Sequence, residues 1–151
     1  MDSKLIDTLN DLIKINRERA AGYQKLTDQL KPTDIDLKTL FTNIVNTSLQ
    51  HADELGAEVK ALGGKVVKER YEDGHLYRLW TGIKASASAN DRRSILALCE
   101  FGEDATLRAY REATSGEMPV EVKQLLGDHK DEIDRSHHIV KRYRDMQDAF
   151  K

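Results

Sequence analysis

"ILALCEFGEDATLRAYREA", residues 95–113, is the stretch whose reading decides the fold. Ile95, Cys99, Gly102, Thr106, Ala109, Tyr110 and Ala113 recur at intervals of three, four or their sums, which places them on one face of an α-helix. Cys99 lies within that apolar stripe and is the single cysteine of the chain, so it forms no intramolecular disulfide and packs as a small hydrophobe. Asp91 is placed to cap the helix start, and "SGEMP" (115–119) breaks the helix at its end.

The same period runs through three further segments. After the break, Val122, Leu125, Leu126, His129, Ile133, Val140 and Tyr143 form the inner face of a helix starting near Val120. At the amino terminus, Leu5, Leu9, Leu12, Asn16, Tyr23, Leu26 and Leu30 mark another, with Ser3 as its expected cap. "KPTD" (31–34) ends that helix, because proline clashes with a preceding helical turn, and Thr33 or Asp34 can cap the next one. Leu37, Leu40, Phe41, Ile44, Ser48, Leu55, Val59 and Leu62 then line a helix that stops at "GG" (63–64), where glycine tolerates a left-handed cap. Residues 65–90 form a longer connection in which "HLYRLWTGIKASA" (75–87) predicts a short amphipathic helix. Leu76, Leu79, Trp80 and Ile83 share one side of it, and Trp80 is expected to pack over the bundle. Two antiparallel hairpins joined by a long crossover are the arrangement of ferritin-like bundles. The expected fold is therefore all-α: a ferritin-like antiparallel four-helix bundle with a short fifth helix in the crossover, residues 1–151 forming one domain.

Composition excludes several classes of function. Hydrophobic residues make up 39% and charged residues 33% of the chain, with two prolines, which describes a helix-rich globular protein. The net charge is −2, and basic runs such as "KRYRD" (141–145) are interleaved with acids, so no nucleic-acid partner is expected. "MDSKLIDTLNDL" (1–12) carries neither a long apolar run nor a basic flank before one. No membrane association is expected, and the cytoplasm is the expected location.

Several landmarks together resemble a bacterial family of ferritin-like four-helix-bundle proteins catalogued as a domain of unknown function. They are "LNDLI" (9–13) and "GY" (22–23), "ADELGAEVKALGG" (52–64), "LYRLWTGIKA" (76–85), "ILALCEFGEDATLRAYREA" (95–113) and His137. The resemblance spans nearly the whole chain, and its most distinctive part is the "CE.GED" core. Phe101 stands where the family more often has arginine, so no role of that charge carries over. What the resemblance implies is the fold and a bacterial setting, sometimes linked with stress; it implies no enzyme activity and no metal.

A di-iron carboxylate centre requires inward glutamates on two helices and Glu-x-x-His on the other two. The first helix turns Asn16 inward, with Glu18 about 200° around the wheel. The second offers Ser48 and His51 at the right spacing, but a hydroxyl cannot replace a bridging carboxylate. In the third, Glu103 lies about 70° from the centre of the inner face, as a ligand or a boundary acid. In "EIDRSHH" (132–138), His137 sits on one shoulder of the apolar stripe, Glu132 on the other, and Asp134 roughly 120° away. Ser48-x-x-His51 and Asp134-x-x-His137 lie 86 residues apart at corresponding places in the two hairpins, as an internal duplication would arrange them. The candidate metal ligands are thus His51, Glu103, Glu132 and His137, with His129 as a substitute, and iron or manganese as the ion. Otherwise no cofactor is expected.

The competing reading is a central polar layer of Asn16, Ser48, His51, His129 and Ser136 that satisfies itself by hydrogen bonding and sets helix register. His75 and His138 have no evident partners. No phosphate-binding glycine loop, nucleophile elbow or activated cysteine is present, so no catalytic residue is assigned. Two functional classes remain. One is a non-enzymatic bundle acting as a homodimer or through a protein partner, with Val66, Val67, Ile139 and Met146 as exposed apolar contacts. The other is a metal-handling protein or oxidase of the ferritin type.

Overall fold

A computed structural model describes residues 2–68 and 92–149. It contains four helices: α1 (Asp2–Thr27), α2 (Ile35–Ala61), α3 (Arg92–Thr114) and α4 (Val120–Ala149). No strand occurs among the described residues. The expected crossover helix, with His75 and Trp80, and the expected cap Asp91 lie outside them. Ser3 falls inside the first turn of α1 rather than capping it.

α1 pairs with α2 and α3 with α4, each as an antiparallel hairpin, and the two hairpins meet through α1–α3 and α2–α4. Arg92, at the start of α3, reaches Asp34 and Asp36 at the start of α2, at 2.8 and 2.7 Å. α2 and α3 therefore begin at the same end of the bundle. The end of α2 therefore lies a helix length, roughly 40 Å at 1.5 Å per residue, from the start of α3. Asp34 stands at the N-cap of α2, yet its carboxylate accepts from the Lys31 N–H and from Arg92 instead of capping the helix.

The expected inner faces of α2, α3 and α4 all point inward. Leu37, Phe41, Leu55 and Val59, then Ile95, Cys99 and Tyr110, then Val122, Leu126, Ile133 and Val140 are buried. α1 departs from the one-face expectation, because every residue from Leu9 to Asn16 is buried. The cause is the returning chain. Asn10 donates its amide to the Lys65 carbonyl and accepts from the Val67 N–H, and Arg17 donates to the Val67 carbonyl, so residues 65–67 lie along α1. Val66 and Val67, expected as exposed interface residues, instead pack against the core.

α2 ends in a Schellman motif. Gly63 N–H bonds the Lys60 carbonyl and Gly64 N–H the Val59 carbonyl, with Gly63 at φ +81°. A Cβ on Gly64 would lie 2.9 Å from Ile6, so the second glycine lets the returning chain sit against α1. Gly63→Ala should cost about 1–2 kcal/mol, the penalty of a left-handed non-glycine residue. A urea titration checks this, and an unchanged midpoint would contradict it.

Candidate functional site

The apolar interior is divided in two. Leu9, Leu12, Leu55, Tyr110 and Leu126 belong to one cluster, and Tyr23, Phe41, Ile44, Ile95 and Val140 to the other. Between them lies a buried polar layer of Asn16, Arg19, Ser48, His51, Glu103, Thr106 and His129. Four of the five residues expected in such a layer are there; Ser136 is not, and its hydroxyl bonds the Glu132 carbonyl on the outer part of α4.

The middle of the layer is an ion pair. Arg19 Nε donates to Glu103 Oε2 at 2.8 Å and Nη2 to Oε1 at 2.6 Å, while Nη1 donates to Ser48 Oγ at 3.1 Å. Ser48 directs its own proton to the Ile44 carbonyl. Arg19 and Glu103 are 1% and 0% exposed. A two-toothed guanidinium–carboxylate pair uses both carboxylate oxygens at once. The pair also acts on its neighbours: desolvation, then Glu103, raises the Tyr23 hydroxyl well above its usual range, and burial, then Glu103, pushes the Cys99 thiol up. Cys99 is thus a packed hydrophobe, as expected, and not a thiolate.

Toward the α2–α4 seam the layer becomes a histidine pair. The rings of His51 and His129 stack with centroids 3.8 Å apart and planes 17° from parallel. His129 Nε2 lies 2.8 Å from Glu54 Oε1, and His51 Nε2 lies 3.2 Å from Glu132 Oε2. Asn16 donates to the Tyr110 hydroxyl oxygen at 2.8 Å, leaving the hydroxyl proton to point at His129 Nδ1, 3.1 Å away. That arrangement puts the His129 proton on Nε2, facing Glu54. Burial first, and then the adjacent His129 and Arg19, lowers His51 to about 3. Burial also lowers His129, against the opposing pull of Glu54. Both imidazoles are neutral at pH 7.

The four expected metal ligands do not share one point. His51 and Glu132 meet. Glu103 is held by Arg19, and His137 turns to the α3–α4 seam, where its Nε2 lies 2.7 Å from Asp104 Oδ1. Asp134 groups with His137 and the exposed His138 on the surface of α4. The polar layer also fails the chemistry of a di-iron centre: a fixed cation stands beside Glu103, the carboxylate at its middle, and a metal dication there would face Arg19 at close range. Three participants escaped the sequence reading: Arg19, Glu54 and the hydrogen-bonding role of Tyr110. Arg19 had a signal, since it lies three residues after Asn16 and four before Tyr23, on the same face. Glu54 had a clearer one. "HADEL" (51–55) and "HKDEI" (129–133) repeat the pattern His-x-Asp-Glu-apolar, 78 residues apart.

A family described as a domain of unknown function, DUF2383, matches residues 4–116. The chain belongs to the DUF2383 family. That match covers α1, α2 and α3, so the Arg19–Glu103 pair and His51 fall within the family region and His129 beyond it. Among solved structures, a mutant of Mycobacterium smegmatis Dps1 is similar in shape, with a TM-score of 0.83 over 94% of this chain and 95% of that one, at 16% identity. The likeness shows a ferritin-like four-helix bundle and, at that identity, the fold alone. No curated protein matches the chain. No helix among the described residues is long and apolar enough to cross a membrane.

Proposed function

We propose that this protein is a non-enzymatic member of the ferritin-like bundles that acts through its outer surface, by self-association or by holding a protein partner. The observation that carries this reading is the Arg19–Glu103 pair, which fills with a protein cation the place where an interior di-metal centre would need open carboxylates. An interior that satisfies its own charges leaves chemistry with little to act on, and the surface is what remains. Phe101 is 61% exposed on α3, and Ile139 and Met146 are exposed on α4, where their seven-residue spacing puts them on one face of the helix. A bacterial setting and a link with stress are what the family resemblance supports, and the cytoplasm is the location expected from the amino-terminal sequence.

The test is light scattering on the full chain across a concentration series. A dimer or larger species is expected, shifted toward monomer by Ile139→Glu with Met146→Glu. A strict monomer at several hundred micromolar would remove the self-association version and leave the partner version, to be tested by capture with the same variant as control. A second reading, metal handling, is favoured by one observation: His51, Glu54 and His129 bring three donor atoms within 4.8 Å of one another.

A further inference from the structure

The His-x-Asp-Glu repeat acquires a geometric meaning in the folded chain. α2 and α4 are antiparallel, so the two copies face each other about a local two-fold: His51 opposes Glu132, and His129 opposes Glu54. The residue that follows each glutamate, Leu55 or Ile133, is fully buried, so the two motifs sit at equal depth. We propose that this seam binds one divalent transition-metal ion through His51 Nε2, His129 Nε2 and the carboxylates of Glu54 and Glu132.

Four observations carry the assignment. First, the histidine side chains are 2–3% exposed while Glu54 and Glu132 are 41% and 47% exposed, so nitrogen donors are held in place beneath longer carboxylate arms that open to solvent. An ion can enter without unfolding the bundle. Second, the charges match: two carboxylates and two neutral imidazoles around a dication sum to zero, and neutral imidazole is the form that ligates. Third, the donor atoms of His51, Glu54 and His129 lie within 4.8 Å of one another, and Glu132 Oε2 lies 3.2 Å from His51 Nε2. Tetrahedral ligands at about 2.1 Å from an ion stand roughly 3.4 Å apart, so closing the shell requires the two stacked rings to tilt out of their near-parallel arrangement as well as the glutamates to rotate. Fourth, a support for the first ligand is present. With metal on Nε2, the His129 proton moves to Nδ1, and the Tyr110 hydroxyl must turn its own proton out of this contact so that its oxygen, already fixed by Asn16, accepts it. For the other ring, His51 Nδ1 is buried and has no hydrogen-bond partner among the described residues, as is true of Asn16 Oδ1, so protein groups alone leave the layer's polar atoms incompletely satisfied.

Two imidazoles and two carboxylates, with no thiolate, suit zinc, cobalt, iron(II) or manganese rather than calcium. Four protein ligands leave no open position, which describes a structural ion that staples one hairpin to the other across α2–α4. The site takes no ligand from α1 or α3, so it is separate from an interior di-metal centre, and it stands or falls independently of the surface reading.

The experiment uses the full chain, freed of metal by chelation and titrated with zinc chloride in a calorimeter and with cobalt chloride by visible absorption. One ion per chain is expected, with tetrahedral cobalt bands and a thermal midpoint raised by zinc. His51→Ala and His129→Ala should each weaken binding about 100-fold, and the half-exposed Glu54→Gln with Glu132→Gln, which should leave the fold intact, at least about 10-fold. Asp134→Asn with His137→Ala should leave binding unchanged. Absence of saturable binding at about 1 mM zinc would overturn the proposal. So would binding that survives the double glutamine variant, or that is lost with Asp134 and His137.

Discussion

Replacing Glu103 by alanine should destabilise the bundle by about 3–5 kcal/mol, the cost of removing one partner from a buried ion pair. Arg19 and Glu103 are 1% and 0% exposed, and the carboxylate takes two of the guanidinium's hydrogen bonds. Without it, Arg19 keeps its charge, because a guanidinium does not deprotonate in a protein. Ser48 Oγ is then its one remaining named partner. The reverse change, Arg19→Ala, strands the carboxylate instead and should also cost about 3–5 kcal/mol. Replacing both, as Arg19→Met with Glu103→Leu, should restore most of the loss, since an apolar pair of similar volume avoids the desolvation of two ions. Urea unfolding followed by circular dichroism measures parent, single variants and double variant alike. A Glu103→Ala loss below about 1 kcal/mol, the scale of an ordinary hydrogen bond, would show that the pair is not dry.

The same comparison bears on why such a pair stands in a bundle. It joins α1 to α3, the contact between hairpins, at the level where the apolar core is divided. Sliding either helix by one turn would leave both charges unpaired, so the pair penalises wrong register more than it stabilises the right one. The apolar double variant tests this directly: if register is the pair's role, the protein carrying Arg19→Met and Glu103→Leu together should be as stable as the parent yet show broader amide spectra.

How far the sequence revealed this arrangement depends on the residue type at each inner position. The helices followed from period, because leucine, isoleucine and alanine at every third or fourth place have one sensible orientation. Val122, Leu126, Ile133 and Val140 were legible for that reason, and each is buried. Arg19 occupies the same stripe but was not read as inward, since an isolated arginine is far too costly to bury and its partner lies 84 residues away. Asn10 was hidden for another reason: what covers it is the chain returning after Gly64, whose Lys65 carbonyl and Val67 N–H it bonds, a tertiary event with no local period. At the site, the acid-x-x-His spacing of "EIDRSHH" drew the eye to Asp134 and His137, whereas His-x-Asp-Glu is the spacing the fold uses. The antiparallel packing of α2 on α4 reverses the direction, so each histidine meets the acid of the other helix rather than of its own.

The metal-free protein should lose stability as pH falls from about 6.5 toward 4.5, before most carboxylates titrate. The sign follows from His51. Its folded value is lowered from 6.5 to about 3 by burial, then His129, then Arg19. Between those two values the unfolded chain binds a proton that the folded chain refuses, so stability is fully present above 6.5 and is lost progressively below it. Facing His51 are Glu132 from α4, which favours protonation, and His129 and Arg19, which oppose it. Glu132 is 47% exposed and screened, whereas the ring is 2% exposed, so desolvation prevails. At about 1.4 kcal/mol per unit, the contribution of His51 falls by roughly 2–3 kcal/mol by about pH 4.5. His129 is shifted in the same direction and adds to the loss, though Glu54 at 2.8 Å tempers it. Urea midpoints at about pH 7.5, 6.0 and 5.0, taken with chelator present, should therefore decline, and His51→Gln should flatten the decline while lowering the plateau at neutral pH. A stability that rises over the same interval would mean that the two glutamates win and that the stacked rings carry charge. In that case the lone pairs a metal ion needs would be occupied by protons, and binding at the seam would have to displace them.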